Sequence, residues 1–357
     1  MGWYSIDAVD RAFSRTRKAL FEPFDFWKWA KLALIIFLLG GVSSNYGGSG
    51  TNYRMSSEDF GDTYPGIGPD RMPELPFDAN GFDPAQMQFP EIAGFLIAGI
   101  VILLLIALFF SYVSSVMEFV FVEALVRNEV YFWAYSRKFL NKGFYLLLIR
   151  FALGLVFLVL FGIALLPLFL RMLESSQDFS WPVLVGGIFW FIGVIAVLAL
   201  LGSAINSFLG LAIPVSIYRE TGILSAFKLV FGNFRKSWQE VLVYWIVRFV
   251  LGIGVAILAV ILVVLLMLAF GLVFLILDGV LYFLFSAFLS GPLLWVLLIP
   301  FVLVELLLVF IVLLLLNVPF ATFIKYHMLS FLDMWYAEAG IPFFDKLSVE
   351  PEYENSF

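Results

Sequence analysis

Residues 293–318 read LLWVLLIPFVLVELLLVFIVLLLLNV, a run whose single charge is Glu305. Hydrocarbon roughly 30 Å thick is crossed by about 20 helical residues, so a stretch of this length and composition predicts a membrane span. Five more apolar runs stand upstream, near 27–43, 92–117, 144–170, 183–212 and 241–270. The whole chain is 62% hydrophobic and 13% charged, with mean hydropathy +1.01. A soluble sphere of 357 residues has too little interior to hide that much apolar surface. The expected fold class is therefore all-α, a polytopic membrane helical bundle with six transmembrane helices.

The basic residues orient the bundle. Eighteen of the 21 Lys and Arg fall in segments 1–31, 127–150, 219–248 and the tail, whereas only Arg54, Arg71 and Arg171 fall on the opposite side. An excess of Lys and Arg marks cytoplasmic segments, which predicts a multi-pass protein of the cell (plasma) membrane with both termini cytoplasmic. The formal charge of -6 carries no information about a soluble partner, because the charges are segregated by side. Residues 29–43 end in the small residues Gly40, Gly41 and Ser43, but the long stretch ahead of them exceeds a signal-peptide n-region, so an uncleaved first span is expected. The segment 241–318 is long enough for three crossings. Two are preferred, with an apolar outer hairpin around Asp278 to Pro292 in which residues 271–292 are candidates to re-enter the membrane.

An internal repeat underlies this layout. Arg150-Phe151-Ala152-Leu153-Gly154 recurs as Arg248-Phe249-Val250-Leu251-Gly252. Ahead of these, Ala134-Tyr135 with Phe139 and Asn141 matches Ala226-Phe227 with Phe231 and Asn233, and the gap to the Arg is six residues longer in the second copy. Pro214 to Tyr218, followed by Arg219, resembles Pro319 to Phe323, followed shortly by Lys325. The predicted unit is a descending span, an amphipathic cytoplasmic helix and an ascending span. Helical spacing places Ile6, Val9, Phe13 and Leu20 on one stripe; the others are Phe132, Tyr135 and Phe139, then Leu224, Phe227 and Phe231, then Met328, Phe331, Leu332 and Trp335. Such helices either lie at the headgroup level or pack together as a cytoplasmic layer.

The chain reads as a single membrane domain, 1–357, with an acidic Gly/Pro-rich extracytoplasmic loop at 44–91 and a cytoplasmic acidic tail at 340–357. The loop's Asp78-Ala79-Asn80-Gly81-Phe82-Asp83 invites a calcium reading. With Gly81 at the sixth place, however, the first place is Pro76 and the twelfth is Met87, so the ligand spacing fails. No metal ligands and no cofactor are expected. The chain has no Cys and one His, and it carries no Walker A, nucleophile elbow or HExxH pattern, so no catalytic residue is assigned.

Charged groups in or beside the spans are the candidate site residues. Lys31, Arg150 and Arg248 stand within a turn or two of the cytoplasmic interface, where snorkelling explains them and binding of a common anion is the functional reading. Arg127 and Arg219 extend this collar, and Gly154 and Gly252, four residues past their arginines, leave room for a neighbouring helix or a lipid phosphate. Glu305 lies thirteen residues into its span and five beyond Pro300, too deep to snorkel. Asn206 is its candidate polar companion, with Asn317 a second, and together they would suit a carrier.

With the arginine-glycine repeat and Pro214 to Arg219 in view, the chain resembles poorly characterised archaeal six-span integral membrane proteins. It is distantly similar to the membrane domain attached to some glycerophosphoryl diester phosphodiesterases. The resemblance implies a helical membrane fold with no assigned activity. Two functions follow as expectations: a non-catalytic membrane protein that binds anionic lipid headgroups at its cytoplasmic face and organises lipids or partner proteins, or a transporter or lipid permease using Glu305. The partners expected are membrane lipids, then other membrane proteins or a second copy in a homo-oligomer, and no nucleic acid.

Overall fold

The computed structural model describes residues 3–40, 89–174, 181–288 and 291–347. The acidic loop up to residue 88 and the tail beyond 347 lie outside them. In chain order the helices are α1 (Tyr4–Leu20), α2 (Phe26–Leu38), α3 (Phe89–Arg127), α4 (Phe132–Glu174), α5 (Trp181–Tyr218), α6 (Ile223–Lys236), α7 (Trp238–Ser286), α8 (Pro292–Trp335) and the short α9 (Phe344–Leu347). A 3-10 turn at Ala337–Ala339 precedes the last of these. Among the described residues there is no β-strand, only an isolated bridge between Phe21 and Phe24. The fold is all-helical, and α3, α4, α5, α7 and α8 are each long and apolar enough to cross a membrane. Helix α3 starts at Phe89, so residues 89–91 belong to it and not to the preceding loop.

The chain divides into two units, Met1–Ser49 with Tyr112–Phe357, and Gly50–Ser111. The described part of the second is the apolar start of α3, whose residues from Phe95 to Phe110 are mostly exposed. In the first unit the long helices exceed what hydrocarbon requires. Helix α7 has 49 residues and α8 has 44, roughly 65–75 Å at 1.5 Å per residue. Burial shows how each is used. Residues near the starts of α4 and α7 and near the ends of α3, α5 and α8 are buried together: Phe119, Phe139, Leu211, Tyr244 and Phe331 are all within 1% of full burial. Toward the other ends, large apolar side chains such as Phe189, Leu275 and Phe283 are 70% exposed or more. A tight base therefore carries long apolar arms. The arms pair as two antiparallel hairpins. Gly187 of α5 meets Leu168 of α4, and Trp190 donates to the Ala164 carbonyl beside Pro167. At the far end of the other hairpin Tyr282 meets Trp295 and Phe285 meets Phe301.

Local chemistry sets the ends. Asp25 caps α2 by accepting from the backbone N–H of Trp27 at 2.9 Å. Asn128 (φ 59°) and Glu220 (φ 53°) take the left-handed conformation just past Arg127 and Arg219, which stops a helix and turns the chain. Lysines cap the carbonyl ends: Lys28 donates to the Ala19 carbonyl at 2.6 Å and to Asn128, and Lys142 donates to the Ser216 carbonyl at 2.6 Å. Ser237 separates α6 from α7, whereas the corresponding stretch of α4 is continuous.

Two sequence expectations change. Helix α7 runs unbroken through Asp278 to Ser286, so residues 271–286 are helix, and turn residues are described at 287–288 and at Gly291, whose φ is 78°. Helix α8 passes through both Pro300 and Pro319 to Trp335, which makes the stripe at Met328 to Trp335 part of the last long helix. Of the two arrangements expected for the amphipathic stripes, those of α4 and α8 take the packed one: Phe139 stacks on Phe119 at 5.7 Å, and Phe331 lies between Tyr244 and Trp335. Helices α1 and α6 are the exceptions: α1 docks through its small residues Ser5, Ala8, Ala12 and Ala19 and leaves Ile6 and Phe13 outward, and α6 buries Ile223, Ala226 and Val230 while Leu224 of its predicted stripe is exposed.

Candidate functional site

Four charges from four helices meet where the base gives way to the arms. Glu118 of α3 accepts from Arg150 Nη2 of α4 at 2.5 Å, and Lys325 Nζ of α8 lies 3.8 Å from its other oxygen. Arg248 of α7 is within electrostatic reach of both Glu118 and Lys325. Its Nη1 donates to the hydroxyl of the fully buried Tyr244 at 2.7 Å. Tyr244 is fixed in turn by parallel stacking on Phe331 at 4.3 Å and on His327 at 5.7 Å. The His327 Nε2 donates to the Ser5 carbonyl at 3.1 Å, which ties this wall of the site to α1.

The cluster is withdrawn from water without being sealed: the side chains of Glu118 and Lys325 are 16% and 14% exposed, and that of Arg150 is 30% exposed. The approach of α3 and α4 below it depends on Gly143, where an added Cβ would stand 2.4 Å from Val116 Cγ2. Gly154, one turn beyond Arg150, meets nothing within 4 Å, so the close helix contact expected there occurs at Gly143 instead.

The sequence-predicted residues separate into groups. Arg150 and Arg248 are brought together at Glu118. Arg127 is committed elsewhere: with Lys138 it pairs with Glu123, which is 1% exposed and also accepts from Tyr218. Arg219 pairs with Glu338 at 2.7 Å and lies over the Tyr336 ring. Lys31 is exposed on α2. Asn206 is exposed on α5, and the charged neighbour of Glu305 is Asp278 of α7. One oxygen of each of those two carboxyls lacks a hydrogen-bond partner among the described residues. Glu118 and Lys325 were missed as site residues. The available signal was Glu118 itself, the first acid after Glu91 in a long apolar helix, where a carboxylate needs a cation.

No group of three or more His, Cys, Asp or Glu among the described residues is placed to hold a metal ion. The long apolar helices and the charge cluster at their base define a polytopic helical membrane protein. Over residues 3–341 the chain matches, and belongs to, the family described as "Family of unknown function (DUF7544)". No curated protein and no solved structure matches it.

Proposed function

We propose that this protein is a non-catalytic integral membrane module of the plasma membrane that holds the phosphate of an anionic lipid headgroup at Arg150, Arg248 and Lys325, and so organises lipids or partner proteins. One observation carries the reading: three cations converge on a single carboxylate, Glu118, in a place where water is scarce. A buried cation without a counter-charge costs several kcal/mol, on the order of the full penalty for breaking a buried pair. A lipid phosphate arriving along the exposed apolar arms supplies the missing charge, and guanidinium forks fit its oxygens. At Glu123 the contrast is instructive, since both cations there are more than half exposed and water already serves them.

The same reading keeps six crossings with both termini cytoplasmic. Helix α2 is 13 residues long, yet its Phe37 abuts Phe310 of α8, about 22 Å along α8 from Lys325 at 1.5 Å per residue. It therefore reaches most of the way across hydrocarbon of roughly 30 Å. The internal repeat belongs here too. The left-handed residues after Arg127 and Arg219 mark equivalent turns, and the break at Ser237 falls within the stretch that is six residues longer in the second copy. The likeness to archaeal six-span proteins and to the phosphodiesterase-linked membrane domain fits this layout.

Lipid-resolved mass spectrometry of the purified protein tests the reading. The Arg150→Ala, Arg248→Ala double variant should lose co-purifying anionic lipid, while Arg127→Ala should keep it. Unchanged retention in the double variant overturns the proposal. Transport through Glu305 has one observation in its favour, the facing Asp278 on α7 with an oxygen on each carboxyl that has no partner among the described residues. Vesicles containing the protein that pass no ion or lipid faster than empty ones exclude it.

A further inference from the structure

The charge count at the site selects among phosphates. Among the described residues, Glu118 neutralises one of the three positive charges on Arg150, Arg248 and Lys325, which leaves two. Each guanidinium has five N–H donors, and among the described residues Arg150 spends one on Glu118 and Arg248 one on Tyr244. Helix α8 carries a further candidate donor. Thr322 stands one turn before Lys325 on α8, on the same helix face. It is fully buried, and its hydroxyl has no hydrogen-bond partner among the described residues. An orphan hydroxyl costs about 1–3 kcal/mol in such a place, so an acceptor beside Lys325 suits it as well as it suits the surplus charge.

We infer that the site takes a dianionic phosphate, that is a phosphomonoester, in preference to the singly charged phosphodiester of most anionic lipids, with Thr322 donating to the same group as Lys325. This rests on the headgroup-binding reading above and narrows it. A phosphomonoester carries close to two negative charges at neutral pH and three acceptor oxygens, against one charge and two free oxygens in a diester. The ligand is thus matched in charge, and it has one oxygen left over for the hydroxyl once each guanidinium has engaged another.

The test uses the full-length protein in nanodiscs of a neutral lipid with equal small fractions of phosphatidate and phosphatidylglycerol, and reads the retained lipid by native mass spectrometry. Phosphatidate should be retained on the order of tenfold over phosphatidylglycerol, the ratio that one additional charge-assisted hydrogen bond gives. Lys325→Met lowers the surplus to a single charge and should bring that ratio close to one while anionic lipid is still held. Thr322→Val, which keeps shape and charge, should reduce phosphatidate retention several-fold. Equal retention of the two lipids by the unmodified protein overturns the inference and leaves headgroup binding standing; retention of neither overturns both. A Lys325→Met protein that keeps the full preference overturns the charge count. Glycerol phosphate and inorganic phosphate are added separately as competitors. If millimolar amounts displace the preferentially retained phosphatidate, the dianion taken is a soluble phosphate monoester and the headgroup reading is overturned; if they do not, the occupant is a lipid and the headgroup reading stands.

Discussion

Gly143→Ala is a small change with a calculable clash. The new Cβ would lie 2.4 Å from Val116 Cγ2, 2.9 Å from its Cα and 3.0 Å from its backbone nitrogen. Ordinary carbon contacts are about 3.5–4.0 Å, so rotating the valine relieves only the first of these. The backbone contact obliges α4 to lift from α3 by about 1 Å. Overpacking of this kind costs about 1–3 kcal/mol. The displacement also has an address: Arg150 lies two turns further along the same face of α4, and Glu118 lies two residues beyond Val116 on α3. The pair at the centre of the site should therefore loosen together with the fold. Gly154→Ala is the matched control. Its Cβ meets nothing within 4 Å, and replacing Gly by Ala in a helix favours the helix by about 1 kcal/mol. Fluorescence-detected thermal unfolding in detergent, followed by anionic-lipid retention, reads both effects. Gly143→Ala should lower the midpoint and the retention, and Gly154→Ala should lower neither. Equal midpoints for Gly143→Ala and the unmodified protein would refute the packing of α3 on α4 described above.

Two further outcomes are expected. Arg15 of α1 is 5% exposed, donates to Asp345 and Ser330 at 2.9 Å each, and has its guanidinium 3.5 Å from the centre of the Phe343 ring. Arg15→Met should therefore cost about 3 kcal/mol, the scale for breaking a buried ion pair, and limited proteolysis should then cut the segment after Gly340 well before the rest of the chain; an unchanged cleavage pattern counts against the clamp. Because the chain contains no Cys, single cysteines report topology without background. Glu220→Cys should resist a membrane-impermeant maleimide in intact cells and Gly291→Cys should react, and labelling at both positions would defeat the proposed orientation.

The apolar runs were readable because each long lipid-facing stretch registers in hydropathy. Where the helices end was not. Hydropathy marks the lipid-exposed part of a helix, and α8 continues past Asn317 into the base, where burial against protein replaces burial in lipid. Pro319 did not stop it, since a proline inside a long helix is tolerated where neighbours satisfy the freed carbonyl. The face of α1 was misjudged for a related reason. Periodicity weights large residues such as Phe13, but close helix contacts are made by small ones, here Ala8, Ala12 and Ala19. Half of the site was visible as well: the repeated Arg-Phe pair pointed to Arg150 and Arg248. Glu118 and Lys325 enter through the register between helices far apart in sequence, which no spacing along one chain encodes. The same holds for Asp278, whose importance lies in facing Glu305 across the hairpin.

The continuity of α7 from Tyr244 to Ser286 makes it a lever with its fulcrum at the stacked aromatic rings. Ser286 stands 38 residues beyond Arg248, or about 57 Å at 1.5 Å per residue. A lean of about 5° about the base, the sort of adjustment by which helices meet a thinner bilayer, sweeps the outer tip through about 5 Å and leaves Arg248 almost stationary. The charged socket is thereby insulated from changes in membrane thickness that the outer tips must follow.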